Sequence, residues 1–170
     1  MHRPTARSTV PDTVPSAWAA REPARELLVM SASAPDRWTP LPAAELGPRL
    51  ARLESGEALI VTLEVTDTRL AQVVRAVPGE GTCFLVELTG ELGTHQIGTS
   101  NDPAAAVTVL PRVTRRCGHA PLVRVGPGWR HTARTAPALV LSWLLRGNVG
   151  AQYTVAPFLC GGSCPSQRTA

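Results

Sequence analysis

Between Ala58 and Gly98 apolar and polar residues alternate in short runs, and the alternation has the period of β-strands. In Ala58 to Val65, Leu59, Val61, Leu63 and Val65 fall on one side of an extended chain, with Ile60, Thr62 and Glu64 on the other. A second strand is predicted over Leu70 to Val77 and a third over Cys83 to Thr89, where Phe84, Val86 and Leu88 oppose Leu85, Glu87 and Thr89. Gln96 to Thr99 reads as a short fourth strand, and Pro78-Gly79-Glu80-Gly81 as a hairpin turn. One face is apolar and the other mixed, the signature of an antiparallel sheet covered on one side.

Outside this stretch the period changes. Leu46, Leu50 and Leu53 recur at i, i+4 and i+7, which predicts a helix that tolerates Pro48 in its first turn and ends at Ser55-Gly56. Arg25 to Met30 reads as a short strand and residues 35–42 as a loop holding Trp38. Asn101-Asp102-Pro103 is a helix start, followed by an apolar stripe of Val107, Leu110, Val113 and Cys117 that Pro111 and Gly118 interrupt. Ala120 to Val125 reads as a last short strand. Pro137 to Arg146 is helical and apolar almost all round, so it has to be buried or to adhere to something. The expected fold is therefore α+β: an antiparallel meander of four to five strands with one or two helices packed on one face. Residues 1–21, rich in Pro, Ser, Thr and Ala, read as a disordered segment, residues 22–126 as the domain, and residues 127–170 as a C-terminal extension carrying the apolar helix.

Length and composition bound this picture. A chain of 170 residues, 44% hydrophobic, has the size of one domain and enough apolar residues for a core. The absence of lysine, with all 17 basic residues arginine, is an actinobacteria-like composition of the kind expected from a GC-rich genome. Charge is divided along the chain: all 13 acids lie at or before Asp102, beside nine arginines, and the last 68 residues carry eight arginines and no acid. Three readings of the basic part compete: it binds an anion or nucleic acid, it docks on the acidic part, or it is unselected sequence of the kind a shifted reading frame yields. Met1 to Ala20 has no apolar core of a secretory leader, and Ala136 to Leu145 is too short to span a bilayer, so the expected compartment is the cytoplasm.

Catalytic chemistry is thin. His2, His95, His119 and His131 have no G-x-S-x-G partner motif, and no P-loop, dinucleotide-binding or deaminase signature occurs. Cys117-x-His119 and Cys160-x-x-x-Cys164 offer soft zinc ligands, at spacings that match no standard module. Arg112, Arg115, Arg116 and Arg124 form the densest basic cluster, suited to phosphate, with no aromatic platform for stacked bases.

The order of Leu-rich helix (Leu46 to Leu53), strands (Leu59 to Val65, Leu70 to Leu88), capped helix, and Gly118-His-Ala-Pro-Leu-Val-Arg-Val125 resembles a small immunity-protein family of bacterial polymorphic toxin systems, over residues 40–125. The resemblance implies a non-catalytic protein without cofactor that neutralises a cognate toxin, often a nuclease or deaminase, by binding it. Acids at the exposed ends of the sheet would meet such a basic partner: Glu80, Glu87, Glu91 and Asp102. The alternative is an arginine-rich nucleic-acid or anion-binding module built on residues 112–134, and a third reading is a small zinc-stabilised domain.

Overall fold

The alternating runs pair as antiparallel neighbours in a sheet larger than the meander they predict. The computed structural model describes residues 25–35, 37–76, 82–99, 107–109, 121–157 and 159–160. In chain order the elements are β1 (Glu26–Ser31), β2 (Thr39–Pro42), a 3-10 turn (Ala43–Glu45), α1 (Leu46–Ala51), β3 (Ala58–Thr62), β4 (Leu70–Arg75), β5 (Cys83–Gly90) and β6 (Gly93–Gly98). There follow β7 (Val107–Val109), β8 (Pro121–Arg124), a second 3-10 turn (Pro127–Trp129), β9 (His131–Thr132), α2 (Thr135–Arg146), β10 (Thr154–Pro157) and β11 (Leu159–Cys160).

The large sheet has the order β10-β6-β5-β4-β3-β1-β2, with β9 added alongside β5, and a small sheet has the order β11-β8-β7. The class is α+β, as expected, with eight strands in the main sheet where four or five were predicted. The surplus strands are short or flank the meander, where apolar periodicity is weakest. One of them is β2, placed in the predicted 35–42 loop; its prolines are tolerated because an edge strand leaves one row of backbone groups unpaired.

Register explains the core. Leu59, Val73, Val86, Ile97 and Val155 lie opposite one another across five successive strands. The first four are buried, and both helices cover this face with Leu46, Leu50, Leu139, Val140 and Leu144. Helix α1 begins at Leu46, so Gly47 and Pro48 sit in its first turn, where a missing N–H costs nothing. Helix α2 starts on a reciprocal pair: Thr132 N donates to Thr135 Oγ1 at 2.9 Å and Thr135 N donates to Thr132 Oγ1 at 3.1 Å. It ends at Gly147, left-handed at φ 71°, whose N–H returns to Trp143 O at 2.8 Å.

The opposite face is not open, as a half-covered sheet would be. Ala58, Val74 and Leu85 bury themselves with Val123 of the small sheet, so this face carries a second, smaller core. Segment 107–109 is also a strand where the predicted helix would have run. Val-Thr-Val favours extended backbone through its β-branched residues, and β7 satisfies its ladder on β8. Residues 127–157, set apart in the sequence by their charge, supply α2, β9 and β10 to the main sheet and core. Among the described residues no helix is long and apolar enough to cross a membrane.

Candidate partner-binding surface

Among the described residues, the predicted partner-binding acids are Glu87 and Glu91, and they stand in different surroundings. Glu87 is buried, 1% exposed, in mid-β5, because parity puts it beside Leu85 on the face that the small sheet covers. It is therefore not an acid at an exposed sheet end. Its register neighbours are Gln72 and Gln96, which makes a polar row across β4, β5 and β6. Glu91 is exposed in the β5–β6 turn, as expected. Glu80, Asp102, Arg112, Arg115, Arg116, Cys117, His119 and Cys164 lie outside the described residues, as does the side chain of Cys160. Among the described residues no three His, Cys, Asp or Glu side chains are grouped to hold a metal ion.

Arg124, offered as a phosphate ligand, is half-buried and makes contacts within the fold. Its Nη1 donates to Pro157 O at 3.0 Å, and its guanidinium lies over the Trp129 ring, 5.1 Å from the centroid. It joins β8 to β10. Of the histidines, His131 is buried: Nε2 donates to Ile97 O at 2.9 Å, and the ring lies 6.0 Å from that of Tyr153. Burial pushes this imidazole below its ordinary value, and the bond to Ile97 O acts in the opposite sense. Both residues support the fold.

Among the described residues, two of the three exposed large apolar side chains stand at one end of the sheet. The β3–β4 connection (63–69) and the β5–β6 turn (91–92) emerge at the same end, since Leu70 pairs with Thr89 and Gly90 with Gly93. Val65 is 59% exposed in the first and Leu92 95% exposed in the second. The hairpins are neighbours, and a strand spacing of about 4.8 Å puts their tips about 10 Å apart. Glu64 and Glu91, each next to an apolar residue, are exposed as well.

Both connections are held. Thr62 Oγ1 lies 2.9 Å from Glu64 O and 3.1 Å from Arg69 O, so its one buried O–H is shared between carbonyls at the two ends of the first loop. Asp67 Oδ1 accepts from Arg69 N at 2.9 Å within it. The second turn is closed by Gly93 at φ 101°, a conformation other residues seldom adopt. Of these four residues the sequence reading offered Glu91 as a candidate, through the resemblance, and did not offer Glu64, Val65 or Leu92. The available signal was an apolar residue between glycines in the Gly90-Glu-Leu-Gly93 turn, where no core is within reach.

Comparison of the chain with protein-family models, with curated proteins and with solved structures finds no match.

Proposed function

We propose that this is a non-catalytic binding protein that neutralises a cognate bacterial toxin by direct contact, through the paired hairpin tips of its large sheet. The observation that carries the reading is the placement of Val65 and Leu92, both largely exposed, beside the exposed Glu64 and Glu91 on two neighbouring connections, the first of them held by Thr62. Exposed apolar anchors supply affinity when a partner buries them, and flanking carboxylates select a basic partner and speed encounter. Held loops lose less conformational freedom on binding than slack ones. The resemblance to immunity proteins supplies the kind of partner: a basic, nucleic-acid-processing toxin domain.

The test is co-expression with each product of the neighbouring genes, followed by size-exclusion chromatography of the purified pair. A stoichiometric complex that restores growth, and that Leu92→Arg disrupts, is the expected result. Failure of every neighbouring gene product to bind, or a complex indifferent to substitution of both Val65 and Leu92, would overturn the reading.

A further inference from the structure

A cleft of about 510 Å³ opens beside the β10 edge of the sheet, on the helix-covered face. Its floor is Leu88 and Ile97, and its walls are Trp143 of α2, Val149 and Val155. One ionisable side chain lines it, His95 of β6, directly across the ladder from Leu88 and on the same side of its strand as Ile97. The volume lies in the range of small-molecule sites, and a mainly apolar lining with a few polar side chains, here His95 and Asn148, is their usual composition.

The cleft is also pre-built. Trp143 cannot swing away freely: its Nε1 donates to Leu70 O at 3.2 Å, and its ring lies so close over Gly90 that a Cβ there would stand 2.9 Å from it. The rim, residues 147–151, is tied at both ends. Ser142 Oγ donates to Asn148 O at 3.0 Å, and Tyr153 N donates to Gly150 O at 3.3 Å. Glycines at 147 and 150 take the left-handed backbone that this bend requires. Val155, 51% exposed at the mouth, is a large apolar group left in water at the end of the otherwise buried row Leu59–Val73–Val86–Ile97. Such fixed walls favour a rigid guest, because neither side has rotamer freedom left to lose.

From these features we infer that the cleft binds a small aromatic carboxylic acid of one or two rings, its ring against Trp143 and its carboxylate accepting a hydrogen bond from His95. The indole supplies a flat apolar wall for offset stacking. The imidazole presents at least one N–H in either protonation state. The cleft adjoins the β5–β6 hairpin, but its lining includes none of Glu64, Val65, Glu91 and Leu92, so the inference stands independently of the toxin-binding reading.

The experiment is an amide and indole NMR titration of the full chain with 2-naphthoate, and with acetate as a carboxylate that lacks the ring. Saturable shifts at Ile97, Val149, Val155 and the Trp143 indole N–H are expected with 2-naphthoate and not with acetate. His95→Ala should weaken binding about tenfold or more, the value of a hydrogen bond to a charged group. Val155→Glu, at an exposed position, should abolish it while the spectrum stays dispersed. Absence of saturation at millimolar 2-naphthoate, shifts that map elsewhere, equal response to acetate, or unchanged affinity in both variants would overturn the assignment.

Discussion

The side chain of Gln96 pairs with the backbone of Arg124 as though it were one more strand. Gln96 Nε2 donates to Arg124 O at 2.5 Å, and Arg124 N donates to Gln96 Oε1 at 2.8 Å. Gln96 belongs to β6 of the large sheet and Arg124 to β8 of the small one, so this amide fastens the two sheets together, close to the Val123 contact. An amide matches both backbone groups because it carries a donor and an acceptor side by side.

Gln96→Leu therefore leaves a backbone donor and a backbone acceptor without partners between the sheets. A loss of about 2–6 kcal/mol in unfolding free energy is expected, since each of the two stranded groups costs about 1–3 kcal/mol. Gln96→Glu keeps the acceptor for Arg124 N and turns an oxygen on Arg124 O, so it should recover little. Urea unfolding of the three proteins checks the order, and a Leu variant as stable as the parent contradicts the role assigned to this contact.

Two glycines make room for two tryptophans, at different expense. A Cβ on Gly98 would lie 2.6 Å from Trp129 Cε3 and 2.8 Å from Gly128 O, while one on Gly90 would meet only the Trp143 ring, at 2.9 Å. A side chain can shift; the Gly128 carbonyl also accepts from Thr99 N and is less free to do so. Gly98→Ala is expected to cost more than Gly90→Ala, with both in the range of about 1–3 kcal/mol typical of overpacking. Trp143→Phe should relieve Gly90→Ala, and Trp129→Phe should leave Gly98→Ala unrelieved. Thermal denaturation of the single and double variants decides between these orders.

Acid should weaken the fold through His131. Its folded value is lowered by burial, so the unfolded chain takes up a proton first as pH falls. The contribution to stability is complete above the ordinary value of 6.5 and is lost as pH falls through it toward the lower folded value. The slope contributed by one proton cannot exceed about 1.4 kcal/mol per pH unit. His131→Gln removes the titration, so the difference between parent and variant stability should shrink between pH 7 and 5. A difference constant across that window contradicts the assignment.

Helix α2 is part of the core, and cutting it should show as much. Leu144→Ala deletes a fully buried side chain that packs against the sheet, and an expected loss of about 2–5 kcal/mol follows from the cavity. Leu92→Arg, at a side chain almost wholly in water, should leave stability within about 0.5 kcal/mol. The pair separates the two halves of the proposal, because Leu92→Arg disturbs partner binding alone. Denaturant midpoints for both proteins are the measurement.

Alternation within Ala58–Thr62, Leu70–Arg75 and Cys83–Gly90, and the apolar run closed by Gly147, determined three central strands and α2 from sequence alone. These are signals of short range: a two-residue period, a 3.6-residue period and a glycine free to turn left-handed. The α+β class follows from the same local patterns. What the second face of the sheet meets is not a local property. Glu87 and Gln96 look like water-facing residues by composition, yet both are buried, and Gln96 is paired with the backbone of β8. Residues 127–157 likewise look foreign by charge, yet α2 and β10 complete the core and the edge of the main sheet, with partners such as Leu70 and Ile97 far away in the chain. The tertiary structure alone decided those relations, because hydrogen-bond register and burial between distant segments depend on which strands come to lie side by side, and no residue carries that information by itself.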